Sequence, residues 1–408
     1  MPFNVALTGL NAASTDLEVT ANNIANSNTT GFKRSRTEFG DIYANTNLGG
    51  GGNSAGQGVQ VTKIKQDFGQ GSISFTDNAL DMSISGRGFF RLSDNGTVSY
   101  SRSGAFSVDR NGFVANAQGQ HLTGYLADTA GNLTGALGDL QIDTADQPPQ
   151  ATTDIAARLN VNASSVIPGA FTVGVGGPDP ATYNHSTSLT VYDSLGSSHI
   201  ASTYYRKNAV NDWQAFLFVD NAQVDGPDAI TFNTDGSLNQ INGGPATTLT
   251  SPAFNPGGGA ANMTLTLDYS EITQFGSPFG VSALSQDGYS TGRLTAIDID
   301  QSGVLFARYT NGQSRSLGQV ALANFANVEG LRPIGNTGWT ETVSSGSPLV
   351  GAPQSADLGG IESGALEESN VDLTQELISM ITSQRNFQAN AQVISTADTI
   401  TQTIINIR

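Results

Sequence analysis

Catalysis and metal binding need side chains that hold charge, donate protons or ligate ions at set spacings, and this chain has few of them. It contains three histidines, His121, His185 and His199, and no cysteine. None of the histidines is spaced with another His, Asp or Glu as a metal pair, and thiolate chemistry and disulfides are excluded. Neither G-x-S-x-G nor G-x-x-x-x-G-K-[ST] occurs, so a nucleophile elbow and a phosphate loop are absent. The Gly-rich run Asn45–Gly58 lacks the Lys and following helix that a phosphate loop requires. Asp298-Ile299-Asp300-Gln301-Ser302-Gly303 has the opening of a calcium loop but not its terminal Glu, which leaves a β-turn. Glu367-Glu368 reads as a linker before the last helix. Lys33, Arg34 and Arg36 form the only tight basic cluster, read as a solvated loop. These residues point to no enzyme, no cofactor and no metal.

What remains is the pair of elements at the chain ends. Phe3, Leu7, Leu10, Ser14, Leu17, Ala21 and Ile24 recur at alternating steps of four and three, the stripe of a coiled-coil helix. Asn26, Asn28 and Gly31 end it. From Asp372 to Arg408 there is neither Gly nor Pro, and Leu373, Leu377, Met380, Phe387, Ala391, Ile394 and Ile405 fit a second heptad with polar interruptions at Gln384, Asp398 and Thr401. Asp372 with Gln375 has the form of a capping box. Two such seams must be covered. One solution is a pair within the chain. The small, often polar seam positions suit close packing among several helices from different copies.

Bulk composition agrees with self-association. The chain has 408 residues, of which 13% are charged, with a formal net charge of −17. Nucleic acid, which needs a basic stripe, is excluded as a partner. A weakly charged surface rich in Gly, Ser, Thr and Asn lets like copies touch without repulsion. The first residues, MPFNVALTGLNAAS, lack the basic region and unbroken apolar run of a cleaved signal peptide, and no stretch reaches the roughly 20 apolar residues of a membrane span.

Between the ends the signals are strand and turn. Asp94-Asn95-Gly96, Asp109-Arg110-Asn111-Gly112, Asp235-Gly236 and Asn311-Gly312 separate short alternating apolar runs, which is hairpin chemistry. Five prolines between residues 148 and 180 mark a boundary. The reading is an α+β chain, mainly β, with nested domains. Residues 1–28 with 366–408 form a terminal helical coiled coil and 29–75 a connecting segment. Residues 76–147 with 291–365 form an inner β-domain, and 148–290 an outer β-domain inserted into it.

ANNIANSNTTGFK at residues 21–33 is similar to the N-terminal signature of the bacterial flagellar rod and hook family. The residues that carry it are Asn22, Asn23, Ile24, Ala25, Asn26, Gly31, Phe32 and Lys33, with Phe32 expected to anchor the chain in the next domain. MSISGRGFFRL (82–92), YSRSGAFSVDRNGFVANAQGQHLTGY (100–125), LGQVALANFANVEGLRPIGNTGWTET (317–342) and the stretch 364–400 resemble the same family. The insertion 148–290 resembles its longer, hook-type members. The shorter rod members are the alternative within the family, and a secreted β-rich adhesin the alternative outside it. The resemblance implies a structural subunit that polymerises into a short, curved, hollow tube acting as a universal joint. It implies export by the type III apparatus without a cleaved signal, with rod proteins, a cap and hook–filament junction proteins as partners besides further copies of the chain. The residues expected between subunits are Phe3, Leu7, Leu10, Leu17, Ile24, Leu377, Met380, Phe387, Ala391, Ile394 and Ile405.

Overall fold

A computed structural model describes residues 2–42 and 56–406. Most of the Gly-rich stretch, 45–55 of the run ending at Gly58, lies outside the described residues. The chain is mainly β, with one long helix at each end: α1, Pro2–Ala25, and α2, Leu373–Asn406. It divides into two compact units. One comprises Met1–Thr144, Ala296–Arg308 and Ser314–Arg408; the other comprises Ala145–Thr295 and Tyr309–Gln313.

In the first unit, α1 and α2 pack on each other. The helix boundaries follow local chemistry. Asn26 and Gly31 lie just past the end of α1, where the Asn26 side chain donates to the Asn22 carbonyl (3.0 Å) and Gly31 turns with φ 71°. Asp372 caps α2: its Oδ1 accepts from the backbone N–H groups of Thr374 (2.9 Å) and Gln375 (3.2 Å), two of the donors a helix start leaves unpaired. Gln375 spends its side-chain oxygen on Arg34 (3.2 Å), so the cap is tied to the strand that follows α1.

That strand, Ser35–Asp41, pairs antiparallel with Val59–Gln66, and the two-stranded ribbon lies along α1. The β-domain beyond it interleaves both halves of the chain. Phe89–Asp94 pairs with Thr97–Ser101 across the Asn95-Gly96 turn, and with Leu322–Asn324 from the far half. Gly338–Thr340 pairs with Thr97–Ser101. The buried aromatics Phe89, Tyr100, Phe325 and Trp339 form one core with Phe68 against it, their rings edge-on at centroid distances of 4.8 to 6.1 Å. Such T-shaped pairs add to the area term. Trp339 also donates its indole N–H to Gln66 Oε1 at 2.7 Å, so the end of the ribbon is fastened to strands about 270 residues away in sequence.

The second unit is a two-sheet structure. His185–Tyr192, Ser198–Ala209, Asp212–Val219, Ala222–Phe232 and Leu238–Ile241 form an antiparallel meander. In the other sheet Asp154–Asn162 runs parallel to Thr266–Asp268 and Thr273–Phe275 and antiparallel to Gly280–Gln286. Alternation places Ile155, Leu159 and Val161 of one sheet against Tyr205, Trp213 and Leu217 of the other in a single core.

Two sequence readings fail. Lys33 is not in a solvated loop: its side chain is fully buried. Glu367 is not in a linker: it ends the strand Ala365–Glu367, which pairs with Ile73–Phe75, and it too is fully buried. Each charge looked solvated because its partner is more than 300 residues distant.

Candidate assembly surface

The seam between α1 and α2 is built from small and polar residues. On α1, Ala6, Gly9, Ala13, Asp16, Thr20 and Asn23 recur at steps of three and four; Ala6, Ala13, Thr20 and Asn23 are buried. Opposite them, running antiparallel, are Asn390, Ser383 and Glu376. A Cβ on Gly9 would meet the Asn390 amide at 2.6 Å, Ser383 Oγ donates to Asp16 Oδ2, and Asn23 Nδ2 donates to Glu376 Oε2 (3.2 Å). Small side chains let the helix axes approach closely, and polar pairs set the register.

This seam is one position away from the leucine stripe. Phe3 (49% exposed) and Leu7 (42%) face outward, and Leu10, Leu17 and Ile24 are half-buried at its flank. On α2, Met380, Phe387, Ala391 and Ile394 are half-buried, while Leu377 (50%), Ile378 (62%), Ile381 and Ile405 are exposed. Near the chain ends Phe3 joins Val393, Thr396, Ala397 and Ile400 around a groove of about 530 Å³. Small and polar residues thus meet within the helix pair, while Phe3, Leu7, Leu377, Ile378 and Ile381 are left uncovered.

The signature residues hold this pair to the β-domain. Asn23, 1% exposed, accepts from Ser35 N–H (2.9 Å) and donates to the Ser35 carbonyl (2.7 Å) as well as to Glu376, so one amide joins both helices and the ribbon. Asn26 accepts from Thr29 Oγ1 (3.1 Å). Asn22 and Ala25 are exposed, and Phe32 is only half-buried; the anchor expected of Phe32 is Lys33. Gly31 has to be glycine: besides its positive φ, a Cβ there would overlap the Arg102–Ser103 backbone.

Lys33 Nζ lies 2.5 Å from Glu367 Oε1 and donates to the Gly69 carbonyl (2.8 Å). Arg102 holds the other carboxylate oxygen at 3.1 Å and donates to the Gly86 carbonyl (2.8 Å). The Gly71 N–H completes the set on Oε1 at 2.9 Å. Burial pulls the Lys33 ammonium below its ordinary pKa, with Glu367 opposing and Arg102 adding to the fall; burial likewise lowers Arg102. One carboxylate therefore serves two buried cations and ties three distant segments. Sequence reasoning missed this triad and the Asn23–Glu376 pair. The available signal was scarcity: in a chain with 13% charged residues, each charge next to an apolar run is a candidate for a buried pair.

Four family models match, in order along the chain. Flagella basal body rod protein covers residues 3–33, and the flagellar hook protein FlgE/F/G D1 domain covers 83–164. The flagellar basal body protein FlaE D2 domain covers 159–289, and the flagellar basal body rod FlgEFG protein C-terminal region covers 362–407. The chain is 39% identical to the flagellar hook protein FlgE of Escherichia coli (strain K12) over 100% of both chains. It is 33% identical to that of Borreliella burgdorferi over 98% of both. The chain belongs to the flagellar hook protein FlgE family. It is a structural subunit of the flagellar hook. The crystal structure of Helicobacter pylori flagellar hook protein FlgE2, at 14% identity, shares the fold with a TM-score of 0.56, covering 72% of this chain and all of that one.

For a hook subunit the relevant site is the helix pair with its uncovered face. Among the described residues no helix is long and apolar enough to cross a membrane. Phe387 and Ile394 are half-buried, whereas Leu7, Leu377 and Ile405 are exposed.

Proposed function

We propose that the chain polymerises by packing the outward faces of α1 and α2 against those of neighbouring copies, forming a hollow, curved tube that works as a universal joint between motor and filament. The observation that carries this reading is the division of residues in the helix pair: small and polar side chains meet inside it, and Phe3, Leu7, Leu377 and Ile378 remain on its outside. A head-to-tail contact that does not close gives an open helical polymer. Fully burying a Leu or Phe contributes on the order of 1.5–3 kcal/mol, so several half-covered side chains per copy suffice to drive assembly above a threshold concentration. Bending is assigned to contacts between the inserted units, the span expected at 148–290, in neighbouring copies. Their polar, weakly charged surfaces resist locking in one register. The family's rod, cap, junction and export components are the partners this role calls for, and delivery without a cleaved signal is part of the same reading.

The test is polymerisation of purified full-length protein, scored by pelleting and electron microscopy. Leu7→Asp and Ile394→Asp should abolish tubes while each β-unit still unfolds cooperatively. Normal tubes from Leu7→Asp would sink the reading. Straight rather than curved tubes from the parent protein would favour a rod role.

A further inference from the structure

The two helices carry five charges among their described residues: Asp16 and Glu18 on α1, and Glu376, Arg385 and Asp398 on α2. Three are engaged within the chain. Asp16 accepts from Ser383, Glu376 from Asn23 at 3.2 Å, and Asp398 from Gln402 at 3.0 Å. Glu18 and Arg385 are exposed, and neither makes an ion pair or hydrogen bond among the described residues. The two left over are opposite in sign, and Arg385 is the sole cation of α2 and of the pair.

They cannot meet within one chain. Glu18 is two residues past the seam residue Asp16, and Arg385 two past the seam residue Ser383. Two residues turn a helix by about 200°, so each charge sits on the back of its own helix, away from the partner. Each back carries exposed apolar side chains among uncharged polar ones: Leu7 with Asn11 and Asn22 on α1, and Ile378 and Ile381 on α2. Arg385 follows Ile378 and Ile381 at steps of three and four, and Glu18 lies three turns along from Leu7 on one face.

We infer that the back of α2 in one copy docks on the back of α1 in the next, with Arg385 of the first paired to Glu18 of the second as the contact that sets the register. The inference rests on the helix-packing reading proposed above and adds to it which faces meet and what fixes their alignment. Apolar side chains can slide along one another at low cost. A single ion pair within an otherwise uncharged face permits one alignment and penalises the rest, since a misplaced charge is desolvated without a partner. Repeated head to tail, with α2 of each copy on α1 of the next, the contact propagates along the polymer.

The experiment is a charge swap in the full-length protein. Glu18→Arg, Arg385→Glu and the double variant are compared for critical concentration of polymerisation, by pelleting onto preformed seeds of each protein, with far-UV circular dichroism and melting as checks on the fold. Each single variant should raise the critical concentration at least about tenfold, because it sets like charges against each other in a desolvated contact. The double variant should return it close to the parent value. If the double variant assembles no better than the worse single one, or if both singles assemble like the parent, the pairing is wrong. Leu7→Asp separates the two levels: its failure to assemble beside an unaffected Arg385→Glu keeps the helix packing and removes the ion pair, whereas normal assembly of Leu7→Asp removes both.

Discussion

Replacing Glu367 by Gln should unfold the first unit at markedly lower denaturant concentration. The substitution is nearly isosteric and keeps one acceptor oxygen, so it changes charge and not volume. It leaves Lys33, fully buried, and Arg102, 6% exposed, as two cations with no counter-charge between them. The carboxylate now accepts from Lys33 at 2.5 Å, Gly71 N–H at 2.9 Å and Arg102 at 3.1 Å. The amide can accept at one oxygen only, and its NH2 points a donor at a donor. Removing one member of a buried ion pair costs about 3–5 kcal/mol, and here two pairs lose the same member, so the upper end of that range is expected. At about 2–4 °C per kcal/mol for a unit of this size, the melting temperature falls by roughly 10–20 °C. The two tryptophans make the assay specific: Trp339 lies in the first unit's aromatic core and Trp213 in the second unit's core. With Trp213→Phe as background, urea unfolding followed by Trp339 fluorescence reads the first unit; with Trp339→Phe, Trp213 reads the second. The second unit should be unaffected. Lys33→Met combined with Glu367→Gln should be less harmful than Glu367→Gln alone, because one stranded cation is gone. A loss below about 1 kcal/mol, or a double variant that shows the full sum of two independent losses, would refute the claim that the triad acts as one unit.

Two further substitutions test local geometry and pH dependence. Gly31→Ala should destabilise the first unit by at least about 2 kcal/mol, since it adds a left-handed penalty to overlap with the backbone of Arg102 and Ser103; Gly9→Ala, which meets only the movable Asn390 amide, should cost within about 1 kcal/mol in the same urea assay. In the second unit His199 lies between Asp220 (2.6 Å) and Asp193 (3.3 Å). Asp220 foremost, then Asp193, hold its pKa above the ordinary 6.5 against the opposing pull of burial. A raised folded-state pKa means the stabilisation is fully present below about pH 6.5 and is lost as pH rises through the folded-state value. His185, which burial pulls the other way, has the opposite sign, so the comparison is between parent and His199→Gln at each pH. The gap in urea midpoint, read by Trp213, should be widest near pH 6 and shrink toward pH 8.5; a gap that is constant or widens with pH contradicts the assignment.

Several features were legible before any coordinates. The two terminal helices, the Asp372 cap and the Asn26–Gly31 stop are local, and each is where the sequence reading put it, because a helix end is decided by neighbours within four residues. The Asn95-Gly96 and Asn311-Gly312 turns are equally local: each lies between paired strands, Asn95 with φ 48° and Gly312 with φ 79°. Periodicity was less informative about faces. Two overlapping heptads run along α1, one large and apolar, one small and mixed. A sequence shows both without saying which meets the partner helix and which is left outside.

What the sequence determined by itself, then, was the kind of protein: long uninterrupted helices at both ends, turn-rich strands between, scant charge, and the ANNIANSNTTGFK signature. All of these depend on residue type and short spacing. The tertiary structure decided which contacts hold it together. Lys33, Arg102 and Glu367 come together only once strands from both chain halves have paired, and Asn23 meets Ser35 and Glu376 only where two helices and a ribbon converge. Such contacts rest on desolvation and geometry across hundreds of residues, which no local pattern encodes. The same packing, by filling the helix seam with small side chains, is what leaves Phe3, Leu7, Leu377 and Ile378 exposed on the outside of the pair.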